Sequence, residues 1–202
     1  GETSLYQRFG VPGLNMMDNG QGFRTVNERT IPQVTGWPVA LAAASSWSET
    51  DTYRWAEALA TEFRAKGANV ILGPGVNVHR VARGGRNAEY SSGESGYFGA
   101  RIVKPYIEGL QKNRVLCVVK HFVTNSQETN RDTVDSRIDE RTLWEVYYPP
   151  FDAAVQAGVA AAMCSYNLVN GIHACGNPHT VKEDLKGTMG FDGFVQSDWW
   201  AL

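Results

Sequence analysis

The sequence has 202 residues, of which 43% are hydrophobic and 20% are charged, a composition that is ordinary for a globular domain. Its net charge of −2 excludes the strongly basic surface with which proteins bind nucleic acids or anionic membranes. The sequence lacks the run of about 18 apolar residues that would predict a membrane-spanning helix. It begins at Gly1 rather than Met, and no helix follows its last apolar run, so we expect a segment of a larger protein.

Short apolar runs and amphipathic stretches alternate along the chain. In chain order, the pattern predicts a strand at 10–17, a strand at 39–44, a helix at 52–66, a strand at 69–72, a helix at 97–113, a strand at 115–119, a helix at 139–157, a strand at 159–164, a helix at 181–189 and a strand at 193–195. Ser48 to Asp51 offers caps for the first helix, and Pro149-Pro150 interrupts the third. A long polar loop at 77–95 is of a kind that is usually functional.

Strands that alternate with helices are typical of a parallel sheet or barrel. About six strands are predicted, two fewer than a closed eight-stranded barrel contains. The expected fold class is therefore α/β, a (β/α)8 TIM-like barrel that is incomplete, with residues 1–202 forming one barrel segment of about six βα units.

Reactive side chains follow the carboxyl ends of five predicted strands: Asp18, the group 80–86, Lys120 with His121, Tyr166 and Asp198. In a parallel barrel these ends share one face, where active sites lie. A dinucleotide-binding sheet would also place ligands at its strand ends, but the Gly-rich loops match neither G-x-G-x-x-G nor the P-loop pattern. The sequence therefore predicts one converging site.

Asp198 is the most informative of these residues, because it ends a buried strand and is followed by Trp199 and Trp200. A carboxylate walled by indole rings suits a sugar site, in which the carboxylate attacks or stabilises the anomeric carbon. The alternative is that Asp198 caps a following helix, and this stretch alone does not decide between the two.

The other polar residues have structural alternatives as well. Asp18 on its own is more typical of an Asx-turn, and Arg86 is as well suited to pairing with Glu89 or Glu94 as to binding a sugar. Lys120 and His121 are harder to explain without a polar ligand, since two basic groups at the end of an apolar strand are costly to bury. Glu128 and Arg131, three residues apart, could pair if their loop turns helically.

The sequence contains three cysteines. Cys117 lies in an apolar run and is interpreted as a buried free thiol. Cys164 and Cys175 could form a disulfide in an oxidising compartment, or could remain two unpaired thiols. Metal-ligand spacings such as C-x-x-C are absent from the sequence.

The motifs along the chain resemble those of the N-terminal barrel of family 3 glycoside hydrolases, the β-glucosidase and β-xylosidase group. They are Asp18-x-x-x-Gly22-x-Arg24, Gly73-Pro74-x-x-Asn77, Arg83-Gly84-Gly85-Arg86-Asn87-x-Glu89, Lys120-His121-Phe122-Val123-x-Asn125-x-Gln127-Glu128 with Asn130-Arg131, Met163-Cys164-Ser165-Tyr166-Asn167-x-x-Asn170-Gly171, and Gly193-Phe194-Val195-x-Ser197-Asp198-Trp199. Each motif alone is weak, but together, in this order and at strand ends, they are specific.

The resemblance implies roles for particular side chains. Asp198 resembles the catalytic nucleophile that forms the glycosyl-enzyme intermediate. The substrate-binding residues that it implies are Asp18, Arg86, Lys120, His121, Tyr166 and Trp199. The positive cluster of Arg86, Lys120 and His121 is expected to keep Asp198 ionised. No metal or organic cofactor is expected.

The sequence also departs from the family pattern. Asp18-Asn19-Gly20 replaces the usual Asp-Gly-Pro, and Ala88 replaces the usual aromatic residue before Glu89. Lys120-His121-Phe122-Val123-Thr124 and Asp135-Ser136-Arg137 lack the Lys-His-Phe-Pro-Gly and Asp-Ser-His stretches of the glucosaminidase branch, which favours a glucosidase or xylosidase.

Retaining hydrolysis requires a second carboxyl group as acid/base. Asp18 and Glu89 are the candidates in this chain, but the resembled family takes its acid/base Glu from a following α/β-sandwich domain, which is expected as a partner of this segment. The expected activity is that of a retaining exo-β-glucosidase acting on β-glucosides. The alternatives are β-xylosidase or α-arabinofuranosidase activity and a non-catalytic sugar-binding barrel. An extracellular or periplasmic location is expected, with the cytoplasm as the alternative.

Overall fold

The computed structural model describes residues 9–10, 12–25, 28–29 and 31–202. Val11, within the first predicted strand, lies outside the described residues. The strands are β1 (Met16–Met17), β2 (Val70–Ile71), β3 (Leu116–Phe122), β4 (Asp135–Ser136), β5 (Ala161–Cys164), β6 (Leu168–Val169), β7 (Ile172–His173) and β8 (Phe194–Ser197).

Five of these strands form one parallel sheet in the order β1-β2-β3-β5-β8. The order follows the chain, with helices in the connections, as in a barrel that winds in one direction. The sheet is thus an incomplete TIM-like barrel, which confirms the predicted fold class. All five strands point the same way, so their carboxyl ends meet at one edge.

A smaller sheet of β4, β6 and β7 lies beyond the carboxyl ends of the main strands. β6 and β7 form an antiparallel hairpin whose turn is Asn170-Gly171, both with positive φ, as a two-residue hairpin turn requires. β4 pairs in parallel with β6, so this sheet ties the loop after β3 to the loop after β5.

The helices cover the main sheet. The α-helices are α1 (Ala40–Ala44), α2 (Glu49–Ala65), α3 (Gly96–Lys112), α4 (Glu140–Thr142) and α5 (Pro149–Gln156); π-helical segments span Leu143–Tyr147 and His179–Thr188, and short 3₁₀ turns lie at Ile31–Gln33, Asn87–Glu89 and Ala174–Gly176. Ser48 caps α2 by accepting from the Asp51 N–H, and Ser95 caps α3 in the same way from Phe98.

The core lies between these helices and the sheet. Fully buried side chains of α2, α3 and α5 such as Phe63, Ile107 and Phe151 pack in one cluster with Val119 and Phe122 of β3. Each such side chain contributes about 1.5–3 kcal/mol by burial, so the strand ends are held on a rigid support. Among the described residues, no helix combines the length and the apolar character that crossing a membrane would need.

Two sequence predictions require correction. Residues 39–44 do not form a strand but contain α1, because the run Ala40–Ala44 is nearly all alanine, the best helix former. The main sheet therefore has five described strands rather than about six. The predicted helix at 139–157 is instead three consecutive segments, and Pro149 and Pro150 occupy the first turn of α5, where proline costs no hydrogen bond.

Candidate active site

A cavity of about 290 Å³ lies at the carboxyl ends of the main strands. It is close to the lower end of the range of ligand pockets, about 300–1,000 Å³, which suits one small ring rather than a chain of rings. All the predicted catalytic and substrate-binding residues line it, together with Arg24, Glu128, Arg131 and Met163: Asp18, Arg86, Lys120, His121, Tyr166, Asp198 and Trp199. The structure therefore brings together side chains from five strand ends.

A register shift in β3 explains how two consecutive residues reach the same cavity. Successive side chains of a regular strand point to opposite faces. The pairing of β3 with β5 is shifted between Lys120 and Phe122, so the strand is irregular at His121. Lys120 and His121 thus both line the cavity although they are neighbours, and both are buried.

Asp198 follows β8 and is buried, with 8% of its surface exposed. Its backbone N–H donates to the Cys164 carbonyl at 3.2 Å, which fixes it against the end of β5. Its Oδ1 accepts from the Trp199 N–H at 2.8 Å, and its Oδ2 lies 3.4 Å from His121 Nε2. Residues 199–200 form a turn, and no helix follows Asp198 in the part of the chain that is described.

Tyr166 lines the cavity together with Asp198. Burial, followed by the negative charge of Asp198, raises the pKa of Tyr166 to about 12, so the phenol keeps its proton and can donate it. The guanidinium carbon of Arg131 lies 4.0 Å from the centre of the Tyr166 ring, a cation–π contact that holds the ring in place.

Glu89 pairs with two cations that line the cavity, Lys120 and Arg86. Its carboxylate lies 2.9 Å from Lys120 Nζ and accepts from Arg86 Nε and Nη2 at 2.8 and 3.1 Å. Burial alone would raise the pKa of Glu89, but the charge of Lys120 and the hydrogen bonds and charge of Arg86 outweigh it and lower the pKa to about 2. Arg86 thus pairs with Glu89, as one alternative proposed, and still lines the cavity.

His121 carries no charge in this environment. Its ring is buried, and burial, with the positive charges of Arg86, Lys120 and Arg131, holds its pKa well below the ordinary value. The expectation that His121 helps to keep Asp198 ionised by its charge is therefore wrong. Its 3.4 Å contact with Asp198 joins a neutral imidazole to a carboxylate.

Asp18 lies at the more exposed rim of the cavity. Its carboxylate oxygens lie 3.5 Å from Arg24 Nη1 and 4.0 Å from Lys120 Nζ. The Asx-turn of this loop belongs to Asn19, whose side-chain oxygen accepts from the Gln21 N–H at 3.0 Å. Asp18 is thus oriented by cations towards the cavity.

Sequence reasoning did not assign Arg24, Glu128, Arg131 and Met163 to the site. Glu128 and Arg131 do form the expected pair, at 2.7 Å, and Glu128 also lies 3.8 Å from Arg86. Their spacing indicated the pair but not its place at the cavity, which follows from the fold of the loop after β3.

A disulfide joins Cys164 and Cys175 and closes the loop that carries Tyr166. Cys117 is a buried free thiol, as interpreted from the sequence. The described residues contain no group of three or more His, Cys, Asp or Glu side chains placed to hold a metal ion.

Comparison with known proteins identifies the family. The profile of the glycosyl hydrolase family 3 N-terminal domain matches residues 2–202. The chain belongs to glycoside hydrolase family 3. A probable β-glucosidase M from Neosartorya fischeri is 40% identical over 212 residues, which cover 100% of this chain and 27% of that protein. A β-glucosidase from Rhizobium radiobacter is 40% identical over 201 residues, covering 98% and 24%.

Solved structures agree with this assignment to family 3. β-Glucosidase 3B from Thermotoga neapolitana in complex with glucose superposes with a TM-score of 0.92 at 35% identity, over 100% of this chain and 29% of that one. DesR, a β-glucosidase from Streptomyces venezuelae in complex with D-glucose, gives 0.91 at 34%, over 100% and 25%. The chain thus spans about a quarter of the length of the relatives it matches.

Proposed function

We propose that the protein is a retaining exo-β-glycosidase that removes terminal β-D-glucosyl residues through a covalent intermediate on Asp198. The observation that carries the proposal is a buried carboxylate at a strand end, in a cavity of about 290 Å³ that is lined mostly by charged side chains. The relatives named as β-glucosidases, and the glucose complexes of two similar structures, support glucose as the sugar.

The residues have distinct parts in this reaction. A carboxylate oxygen of Asp198 bonds to the anomeric carbon while the bond from that carbon to the aglycone oxygen breaks, and the aglycone oxygen takes a proton from the acid/base. In the second step a water oxygen bonds to the anomeric carbon, its proton passes to the same base, and the bond to Asp198 breaks. Tyr166 keeps its proton, and its phenol is a donor that can orient the Asp198 carboxylate for attack.

The charged side chains that line the cavity bind the sugar in this proposal. Lys120 and Arg86 offer donors to hydroxyl groups and Asp18 offers acceptors, while Glu89 pairs with both cations. Since these groups are already paired with one another, they are oriented before the substrate arrives, which lowers the entropy cost of binding. Trp199, 38% exposed, also lines the cavity and offers its indole ring to the sugar.

The acid/base comes from outside the described residues in this proposal. Glu89 is unsuited to the role, because its pKa of about 2 leaves it without a proton to donate near neutral pH. The proposal assigns the acid/base to a Glu of a following α/β-sandwich domain. The chain covers only 27% and 24% of two β-glucosidase relatives, which leaves room for such a domain.

A fluorosugar adduct tests Asp198 directly. The intact protein is treated with a 2-deoxy-2-fluoro-β-D-glucoside that carries a good leaving group, and the labelled peptide is identified by mass spectrometry. An adduct on Asp198 is expected, and an adduct on another carboxylate would contradict the assignment. Sugar binding without any adduct would favour a non-catalytic barrel.

Substitution gives the second arm of the test. Asp198→Asn should lower kcat by at least about 10³-fold, as expected when a covalent nucleophile is removed. Asp192→Asn, an exposed neighbour before the same strand, is the matched control and should keep near-normal turnover. Faster turnover of a β-xyloside or an α-arabinofuranoside than of the glucoside would overturn the choice of glucose.

The disulfide supports a location outside the cytoplasm. We propose an extracellular or periplasmic protein, since a disulfide between Cys164 and Cys175 persists in oxidising compartments. Fractionation of the native host, with thiol alkylation before lysis, should find the protein outside the cytoplasm and Cys175 unalkylated. A cytoplasmic protein with an alkylated Cys175 would contradict this proposal.

A further inference from the structure

A chain of polar side chains runs from the surface of the candidate site to Asp198 through the buried Tyr90. Asn125 Nδ2 donates to the Tyr90 hydroxyl at 3.1 Å, and this hydroxyl lies 3.1 Å from His121 Nδ1. The other ring nitrogen, His121 Nε2, lies 3.4 Å from Asp198 Oδ2. Tyr90 is 3% exposed and its ring meets the imidazole edge-on, so the contact is fixed by packing.

The carboxylates at the two ends of this series of contacts decide which of its atoms donate hydrogen bonds and which accept them. Asn125 Nδ2 also lies 3.4 Å from Glu128 Oε1, and Glu128 is ion-paired with Arg131. An amide oxygen turned towards that carboxylate would be repelled, so the amide nitrogen must face it and one of its two hydrogens points to Tyr90. Asn125 Oδ1 has no hydrogen-bond partner among the described residues, so charge rather than hydrogen bonding at that oxygen decides the orientation.

These contacts favour one arrangement of the remaining protons. The Tyr90 oxygen accepts from Asn125, and burial raises the pKa of Tyr90, so the phenol keeps the proton that it can give to His121 Nδ1. A neutral imidazole carries one N–H, and with Nδ1 acting as acceptor this N–H lies on Nε2. The Nε2–H then lies on the side of the ring where Nε2 is 3.4 Å from Asp198 Oδ2.

We propose that Tyr90 is a positioning residue that holds His121 in its Nε2–H tautomer and so keeps a donor directed at Asp198 and the bound sugar. The opposite tautomer would place an imidazole lone pair against the carboxylate. Nothing in this proton arrangement depends on the reaction, but its effect on turnover rests on the proposed glycosidase function.

Histidine NMR of the intact protein tests the tautomer without any substrate. The sequence contains four histidines, and the signals of His121 are those missing from a His121→Asn variant. With ¹³C,¹⁵N-labelled histidine, the ring carbon and nitrogen shifts of the wild type should report Nε2–H. In Tyr90→Phe, where no hydroxyl donates to Nδ1, a substantial share should move to Nδ1–H. Nδ1–H in the wild type, or no change in Tyr90→Phe, would overturn the proposal.

Kinetics separate positioning from general stability. Tyr90→Phe should lower kcat/KM by about tenfold, as expected for one lost hydrogen bond that orients a donor. Tyr148→Phe is the matched control, because its buried hydroxyl donates to Asp184 away from the cavity, and it should keep normal kcat/KM. A tautomer change in Tyr90→Phe with kcat/KM within twofold of the wild type would overturn the positioning role. If no wild-type turnover is found, the glycosidase proposal fails while the NMR result still decides the tautomer.

Discussion

At the scale of single residues, Glu89 is the carboxylate that pairs with two cations of the cavity lining. It neutralises the buried Lys120 and the partly buried Arg86, and its pKa is lowered from 4.5 to about 2. Among the described carboxylates, Glu89→Gln leaves Lys120 with the more distant Asp18, at 4.0 Å. We expect it to lower the free energy of unfolding at pH 7 by about 3–5 kcal/mol, the cost of a buried charge left without its partner, as measured by guanidinium titration.

The lowered pKa of Glu89 also predicts how the effect of Glu89→Gln on the free energy of unfolding changes with pH. A carboxylate with a lowered pKa stabilises the fold fully above its unfolded pKa, near 4.5, and loses this contribution as the pH falls through its folded pKa, near 2. The difference between wild type and Glu89→Gln should therefore shrink between pH 4.5 and 2. Glu94→Gln, an exposed change in the same loop, is the control and should have little effect at any pH. A constant difference down to pH 2 would contradict the assignment.

At the scale of secondary-structure elements, Gly73 controls how closely the loops after β1 and β2 approach. A Cβ atom on Gly73 would overlap the backbone of Gly20, two residues after Asp18, and backbone cannot move aside as a flexible side chain can. Gly73→Ala should displace the Asp18 loop and lower kcat/KM by about 10²-fold, as shifts of about 1 Å in a site can do. Gly36→Ala, which has no described atom within 4 Å of its Cβ, should leave kcat/KM unchanged. Equal effects of both changes would contradict this role.

The disulfide acts on the loop between β5 and the 3₁₀ turn that contains Cys175. Cys164 and Cys175 are 11 residues apart, and closing a loop of this size stabilises a protein by about 3 kcal/mol. Cys164→Ser, Cys175→Ser and the double variant should each lose about this amount in denaturant titrations, because all three remove the same bond. A double variant that loses the sum of the single losses would show that the bond does not form.

Sequence periodicity predicted the elements that carry long, distinct patterns. The amphipathic stretch that became α2 and the apolar run that became β3 were recognisable alone. Lys120 and His121 were predicted to follow a strand at 115–119, whereas they lie inside β3 (Leu116–Phe122). The six-residue run at 39–44 was not recognisable as a helix, because a short apolar run fits a strand as well as a buried helix. The contact of Tyr90 with His121 could not be predicted from the sequence. The two residues are 31 positions apart, and His121 lies at the register shift in β3.

At the scale of the whole molecule, β8 is an edge strand of the five-stranded sheet, and its side chains are less buried than those of β5. β5 is buried throughout, whereas Phe194 is 39% exposed and the rest of β8 is only partly buried. Parallel sheets are normally covered on both faces. The side-chain oxygen of Gln196 is buried, and no hydrogen-bond partner for it occurs in the described part of the chain. We propose that β8 pairs in the intact protein with polypeptide beyond the described residues, as a barrel that continues would require.

Hydrogen exchange of the intact protein tests this proposal. In a parallel strand the backbone N–H groups alternate between the two neighbours. From Val195 to Ser197, the backbone N–H groups that do not face β5 should exchange quickly if the outer edge of β8 is open and slowly if it is paired. We expect every amide of β8 to exchange as slowly as those of β5, by mass spectrometry with residue-level fragmentation. The exposed strand β7 is the internal control for fast exchange. Alternate amides of β8 that exchange as fast as β7 would show that its outer edge is open, and the barrel would then end at Asp198.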